Sequence, residues 1–382
     1  MSRQPIYLDH AASTPLRAEA GEAMLRVMSE CFGNPSSVHR WGRAGRAALE
    51  RARERFAAAI GAEPAEVVFT RGGTEADNLA LLGAARLVPG CAVACSAVEH
   101  KAVLTTAHAL AGEGHALHVL PVDGEGIVRL DAVSAALTER PAIISVMWAN
   151  NEVGAVQPVE QVGALCRQAG VAFHSDAVQA FGKLEVRVDR TPVDLLSFSG
   201  HKFGGPRGVG ALYVRHRTWL APLIHGGGQE RGLRAGTEDV AGAVAFALAA
   251  EMAEAERDWE AARLGGLRDR LEAGLRARVP ELAVNAAGAP RLPHVCSVSV
   301  PGVEGGLLLA ALDVEGIGVS AGSACSSGAL GVSHVLTAMG VSPGSGPAVR
   351  FSLGRTTTAE EVERVLEAFP ALVGQLREMA AA

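Results

Sequence analysis

The feature that most constrains the fold is an alternation of short apolar runs with helix-period stretches between about residues 60 and 215. The runs are rich in β-branched and aromatic residues, which is typical of buried strands. They include residues 67–70, 143–146, 171–174 and 194–198. Helices between successive strands make crossover connections, so we expect an α/β fold with a mainly parallel central sheet in a large domain.

The pattern changes after about residue 238. A long, charged, amphipathic helical stretch extends to about 280, centred on residues 251–278, and is typical of a connector between domains. Short alternating runs such as 295–300 follow, and a terminal helix is predicted over about 359–379. This part of the chain therefore predicts a smaller α+β domain.

The length, charge and cysteine spacing of the chain argue against a nucleic-acid-binding, membrane-spanning or zinc-binding protein. The 382 residues suffice for two domains with a large core, and the net charge of -6 gives no electrostatic footprint for nucleic acid. There is neither a run of about 18 uncharged apolar residues nor an apolar signal-peptide stretch at the start, so we expect no membrane span and a cytoplasmic location. The six cysteines lack zinc-ligand spacing, and a cytoplasmic setting would keep them reduced.

One of only three lysines, Lys202, ends an apolar run that closes with Ser199, Gly200 and His201. Ligands of open α/β sheets collect at such strand ends. Apolar surroundings would disfavour the ammonium form, leaving a neutral amine for Schiff-base chemistry. The alternative is a surface lysine in a glycine-rich turn.

Two further strand ends carry polar groups. Gly73 and Thr74 follow one strand and open a helix, where free N–H groups would favour a phosphate, although Thr74 could equally be a plain N-cap residue. His174 and Asp176 follow another strand and are compatible with a metal pair, or Asp176 alone with a pyridinium nitrogen. The combination with Lys202 favours pyridoxal phosphate, and we expect no metal.

Three more positions have open interpretations. Asn151 belongs to an Asn-Asn pair that either supplies amides at the sheet edge or forms a turn. His100 could stack on an aromatic ring or cap a strand end. The small residues around Cys325 give its thiol few packing partners, which is typical of a reactive cysteine in an accessible loop.

Together these segments closely resemble the cysteine desulfurases, pyridoxal-phosphate enzymes of the class V aminotransferase fold. The resemblance runs nearly end to end and includes the motifs at residues 7–12, 34–39, 72–78, 150–154, 174–179, 199–202, 234–237 and 350–355. It implies the fold type I architecture of pyridoxal-phosphate transferases. It also implies an N-terminal segment, 1–14, that packs with the small domain, a cofactor-binding domain over 15–258 and a small domain over 259–382.

The resemblance implies a role for each cofactor contact. Lys202 would form the Schiff base, Asp176 would pair with the pyridine nitrogen, Gln179 would bond the ring hydroxyl and His100 would stack on the ring. The phosphate would be held by Gly73, Thr74, Ser199, His201 and, from the second subunit of a homodimer, Thr237.

The substrate contacts and the reaction are implied in the same way. Arg350 would clamp the carboxylate of L-cysteine, assisted by Asn151, which also borders the cofactor. The implied catalytic residues are Lys202, His100 and Cys325. The Cys325 thiolate would take the substrate sulfur as a persulfide, release alanine, and pass the sulfur to an acceptor or scaffold protein for iron–sulfur cluster assembly or other sulfur-containing products.

The sequence differs from the family pattern at His10, and three other functions remain as alternatives. His10 stands where many family members have Asn. Within the same fold, a selenocysteine lyase or another β-eliminating lyase would keep Lys202 and Asp176 but could dispense with Cys325. A non-catalytic sulfur-relay platform is a second rival, and a metal-dependent hydrolase built on His174 and Asp176 is a third.

Overall fold

The computed structural model describes residues 4–321 and 333–381. The strands are β1 (Ile6–Tyr7), β2 (Val67–Thr70), β3 (Val93–Ser96), β4 (Leu117–Leu120), β5 (Ile143–Ser145), β6 (Ala172–Asp176), β7 (Leu195–Ser199), β8 (Gly210–Val214), β9 (Ala283–Val284), β10 (Val295–Ser299), β11 (Ile317–Gly318) and β12 (Ala348–Ser352). The helices are α1 (Ala18–Glu30), α2 (Arg40–Ile60), α3 (Gly73–Ala85), α4 (Lys101–Gly112), α5 (Leu130–Leu137), α6 (Val159–Ala169), α7 (Val240–Arg278), α8 (Gly305–Val314), α9 (His334–Ala338) and α10 (Ala359–Ala381).

The large sheet has seven described strands in the order β2-β8-β7-β6-β5-β3-β4. β4, β3, β5, β6 and β7 are paired in parallel, whereas β8 runs antiparallel to both β7 and β2. The predicted α/β fold with a mainly parallel central sheet is therefore confirmed. Parallel strands place their carboxyl ends at one edge, which is where the polar motifs lie.

An aromatic cluster fixes the position of β7, the strand that leads to Lys202. The Phe198 ring packs edge to face on Phe56 and Phe181, with centroid distances of 5.0 and 5.5 Å, and Phe246 of α7 lies 4.8 Å from Phe56. All four rings are fully buried. Burial of each such side chain contributes about 1.5–3 kcal/mol, so the end of β7 is rigidly placed.

The 39-residue helix α7 spans the sequence predicted as a connector. It begins before the amphipathic stretch because the Asp239 carboxylate accepts the Gly242 N–H and because its first three turns are rich in buried alanine. Its amino-terminal half packs in the large core and its carboxy-terminal half in a second core. Every helix within the described ranges is too short or too polar to cross a bilayer.

The second core surrounds the antiparallel sheet β12-β10-β9 and includes α8 and α10. Phe351 of β12 lies 5.4 Å from Phe369 of α10, and Leu271 of α7 is buried beside them. Ile6 of β1 joins the same core, because β1 pairs with β11. The predicted division at 258/259 falls inside the continuous helix α7, and the domain boundaries stay a prediction.

Candidate active site

A cavity of about 330 Å³ opens at the carboxyl edge of the large sheet. It is bordered by the ends of β6 and β7 and the amino-terminal ends of α3 and α4. The predicted site residues on its walls are Gly73, Thr74, His100, Asn151, Asp176, Gln179, Ser199, His201, Lys202 and Arg350. The fold thus brings together groups separated by more than 270 positions in the chain.

Lys202 ends a short 3-10 turn directly after β7. Its Nζ donates to the carbonyl oxygens of Ala11 and Ala12, at 2.6 and 2.9 Å. These two bonds hold Nζ at the cavity wall, between the end of β7 and the segment that contains Ala11 and Ala12.

Asp176 is the last residue of β6 and is 5% exposed. Its Oδ1 accepts the Val178 N–H at 2.8 Å. Burial raises the pKa of Asp176, while the charges of His100 and Lys202 act in the opposite direction. A buried carboxyl group that faces a cavity is best stabilised by a cationic or N–H partner inside it.

Behind Asp176 lies a buried network built around His174. Its Nδ1 lies 2.8 Å from Ser145 Oγ and its Nε2 lies 2.9 Å from Ser197 Oγ, while burial lowers the pKa of His174 to about 3. Both ring nitrogens are therefore occupied, which gives no support to His174 as a metal ligand. Among residues 4–321 and 333–381, no cluster of three or more His, Cys, Asp and Glu side chains is arranged for a metal ion.

Asp77 connects this network to the cavity. It is fully buried, its Oδ1 lies 3.6 Å from His174 Nε2, and it lines the cavity wall. Burial, followed by the negative charge of Asp176, raises the pKa of Asp77 well above its ordinary value. Of the two neighbouring acids, Asp77 is thus the one disposed to keep its proton.

The end of the cavity at the start of α3 allows a ligand to approach the backbone closely. α3 starts at Gly73, after Gly72 with φ +135°, a conformation that favours glycine. A Cβ on Gly73 would lie 2.8 Å from Val178 Cγ2, so a side chain there would displace its neighbour. Gly72 is the N-cap, and Thr74 is exposed to the cavity, so the N-cap interpretation of Thr74 is wrong.

His201 borders the same end. Its Nδ1 lies 3.2 Å from Ser13 Oγ. Burial, then the positive charge of Lys202, lowers the pKa of His201 to about 4. His201 is therefore a neutral imidazole near pH 7 and can act as an uncharged hydrogen-bond donor.

Three other predicted residues, His100, Gln179 and Asn151, lie on the cavity wall. His100 Nδ1 accepts the Ala102 N–H at 3.1 Å and so caps helix α4. Gln179 Nε2 donates to the Ala11 carbonyl at 2.9 Å. In the Asn-Asn pair, the Asn150 side chain stabilises the turn, whereas Asn151 lines the cavity.

Arg350 comes from β12 of the second sheet and is only 1% exposed. Its Nη2 donates to Asp9 Oδ1 and its Nη1 to the Asn151 carbonyl, both at 2.7 Å. A guanidinium has five N–H donors, so it can serve several acceptors at once. Asp9 fixes its orientation and balances its charge.

Two predicted site residues, Thr237 and Cys325, are not among the described residues that line the cavity. Thr237 is exposed and does not line it. Cys325 lies outside the described residues. Their roles stay predictions.

Sequence reasoning missed several groups on the cavity walls: Ala11, Ala12, Asp77, Glu152 and His334. Ala11, Ala12, Asp77 and Glu152 belong to motifs that carry the family resemblance, which was a signal, but their contacts depend on tertiary structure. His334 had no such signal.

Comparisons with known proteins agree with this geometry. The family described as aminotransferase class-V matches residues 6–365. Cysteine desulfurase IscS of Dictyoglomus turgidum is 45% identical over 381 residues, covering 98% of this chain and 96% of that protein. A solved NifS-like protein has a TM-score of 0.90 and 36% identity, covering 98% of this chain and all of that chain. The structure of SspA in complex with cysteine has a TM-score of 0.80 and 35% identity, covering 91% of this chain and 98% of that chain. The chain therefore belongs to the class V aminotransferase family and is similar over nearly its whole length to cysteine desulfurases.

Proposed function

We propose that this protein is a pyridoxal-phosphate-dependent cysteine desulfurase. It would convert L-cysteine to L-alanine and transfer the sulfur to Cys325 as a persulfide, for iron–sulfur cluster assembly or other sulfur-containing products. The observation that carries the proposal is the meeting of Lys202, Asp176 and the Gly73 helix end in one cavity. The relatives named cysteine desulfurase support the choice of reaction.

The residues of the cavity fit pyridoxal phosphate. Gly73, Ser199 and His201 offer backbone and side-chain donors at a helix start, which suits the phosphate. The buried Asp176 carboxyl suits the protonated ring nitrogen, and Lys202 suits the aldehyde. The phosphate, the ring nitrogen and the aldehyde of the cofactor would each find a chemically matching group on the cavity wall.

When bound, the cofactor supplies an electron sink for negative charge on the substrate α-carbon. Asp176 would hold the proton on the ring nitrogen, and Lys202 Nζ would move the α-proton as base and then as acid. Arg350, oriented by Asp9, would bind the substrate carboxylate. In sum, cysteine and the Cys325 thiol become alanine and a Cys325 persulfide, so one C–S bond and one S–H bond are exchanged for one S–S bond and one C–H bond.

The proposal includes a homodimer and a sulfur acceptor. Thr237 is exposed and lies outside the cavity of its own chain, as expected if it completes the phosphate site of a second subunit. The persulfide would be passed to an acceptor or scaffold protein. Sedimentation of the holoenzyme at micromolar concentration tests the dimer, and a monomer with full activity would contradict it.

The first experiment is alanine release from L-cysteine by the purified holoenzyme in the presence of a reducing thiol. We expect alanine and sulfide in equal amounts, and loss of both in Cys325→Ala. If Cys325→Ala keeps its turnover, the protein is a lyase. If the loaded wild-type protein releases no alanine, the proposed function is wrong.

A further inference from the structure

His334 lines the cavity but has no role in the proposed cysteine desulfurase reaction. It is the first residue of α9 and is half-buried. A neutral histidine ring has one nitrogen that donates a hydrogen bond and one that accepts.

The backbone fixes the tautomer of the ring. His334 Nε2 lies 2.9 Å from the carbonyl oxygen of Glu99. A carbonyl oxygen only accepts hydrogen bonds, so Nε2 carries the hydrogen. In the neutral ring, the lone pair is consequently on Nδ1.

Two anchors hold the ring in place. Ser333 Oγ caps α9, accepting the Val335 N–H at 3.1 Å, and donates to the Glu152 carboxylate. The Glu99 side chain accepts the Met147 N–H at 2.7 Å and the Ser96 hydroxyl at 2.6 Å, which fixes the carbonyl that binds the ring. His334 therefore has a defined orientation before any ligand enters.

Nδ1 is the ring nitrogen that the contact with the Glu99 carbonyl leaves available. No described residue forms a hydrogen bond or an ion pair with it, and it is absent from the buried unpartnered atoms of the described chain, so solvent reaches it. His334 is one of the residues that line the cavity. The Nδ1 lone pair is therefore the hydrogen-bond acceptor that His334 can offer to a ligand in that space.

We propose that His334 Nδ1 accepts a hydrogen bond from the thiol of the substrate, which makes His334 a substrate-contact residue that selects cysteine by its sulfur. This inference rests on the proposed function. Arg350 is cationic and suits the carboxylate, and Lys202 is a donor, so neither can accept from S–H. The acids Asp176 and Asp77 lie beside the predicted ring-nitrogen site, Asn151 belongs to the predicted carboxylate site, and Glu152 already accepts from Ser333. His334 is therefore the acceptor that we assign to the S–H group.

The test measures binding rather than turnover. In a Cys325→Ser background loaded with pyridoxal phosphate, L-cysteine and L-alanine are titrated and followed by the absorbance of the cofactor. L-Alanine lacks only the sulfur. In His334→Gln, whose amide can still donate to the Glu99 carbonyl, we expect affinity for L-cysteine to fall about three- to tenfold, the range of one neutral hydrogen bond, with L-alanine unchanged. His334→Phe should behave alike.

His115→Gln is the matched control. His115 also binds a backbone carbonyl, with its Nδ1 2.7 Å from Cys91 O, but it does not line the cavity. It should leave both affinities unchanged. Equal losses for L-cysteine and L-alanine in the His334 variants would show a purely structural role, and unchanged affinities would show no contact. Either result overturns the inference, whereas a wild-type protein without alanine release from L-cysteine would refute the proposed function instead.

Discussion

Lys202 and Lys183 lie close together, but their surroundings differ. Lys202 Nζ donates to the Ala11 and Ala12 carbonyls on the wall of the active-site cavity, here called the front cavity. Lys183 Nζ instead donates to the backbone carbonyl of Lys202 at 2.6 Å. Lys183 lines a rear chamber of about 70 Å³ that Lys202 also borders. Of the two lysines, only Lys202 thus lines the front cavity, and a hydrogen bond links the side chain of Lys183 to the backbone of Lys202.

The charged groups on the walls of the front cavity and of the rear chamber determine whether each lysine has a partner for proton transfer. The front cavity carries the acids Asp176, Asp77 and Glu152. The rear chamber has His10, His294 and Arg17 on its walls, and its acid Glu260 is already paired with Arg263. Lys202 has acidic groups near it for proton transfer, whereas Lys183 is buried in a chamber whose unpaired polar groups offer it no anionic partner.

The pKa of Lys183 reflects this difference. Burial, then the positive charges of Lys202 and Arg17, lowers it to about 7. Lys183 nonetheless keeps its bond to the Lys202 carbonyl, which anchors the turn. We infer that Lys183 is a positioning residue and Lys202 the reactive one.

The largest expected effect separates the two lysines directly. Lys202→Ala should lower kcat/KM for L-cysteine by about 10³-fold or more, since it removes the proton-transfer group. Lys183→Met should stay within about tenfold of wild type, because only an anchor of the turn is lost. Alanine release by both holoenzymes is the measurement. Similar losses in both variants would contradict the distinction between front and rear.

A second comparison lies within the front cavity. Asp176→Asn should reduce kcat by about 10²- to 10³-fold, because the charge opposite the cofactor disappears. Asp77→Asn should change kcat by no more than about threefold, since the raised pKa of Asp77 keeps that acid protonated and an amide replaces it closely. If Asp77→Asn is as damaging as Asp176→Asn, Asp77 carries charge that the reaction needs.

The lowered pKa of Lys183 makes the stability of the protein depend on pH. The pKa of Lys183 is about 7 in the folded protein and 10.5 in its ordinary environment, so above pH 7 the unfolded chain binds more protons than the folded one. Wild-type stability should therefore rise relative to Lys183→Met between pH 7 and pH 9. Urea unfolding of both proteins at several pH values measures this difference. A constant or falling difference would show that burial does not lower the pKa of Lys183 in the folded protein.

The smallest effect is expected at His294. It is 1% exposed, and neither ring nitrogen has a hydrogen-bond partner among the described residues. Burial, then the charge of Lys183, lowers its pKa well below the ordinary value, so the ring is neutral. His294→Leu should change the free energy of unfolding by no more than about 1 kcal/mol, because it removes unpaired polar atoms along with some packing. A loss of about 3 kcal/mol or more would reveal a partner for the ring.

Much of this site was predictable because its groups follow strands. The apolar runs ending at Asp176 and Lys202 fix which residues reach the carboxyl edge, since parallel strands share that edge. The predicted fold class and family are confirmed. The predicted cofactor and substrate contacts within the described chain line one cavity, except Thr237, although their roles stay predictions.

The remaining features depend on long-range packing. The carbonyls of Ala11 and Ala12 reach Lys202 across about 190 positions of the chain, through long-range contacts such as the bond from Thr14 N–H to the His201 carbonyl. His334 reaches the cavity through its bond to the Glu99 carbonyl, which no local pattern encodes. The rear chamber is likewise assembled from separate segments, so its effect on Lys183 could not be read from the sequence.

The most direct test is to locate the cofactor on the chain. The holoenzyme would be reduced with borohydride, digested, and searched by mass spectrometry for a pyridoxyl group on its three lysines, Lys101, Lys183 and Lys202. We expect modification of Lys202 alone. A pyridoxyl group on Lys183 or Lys101, or none on any lysine, would contradict it.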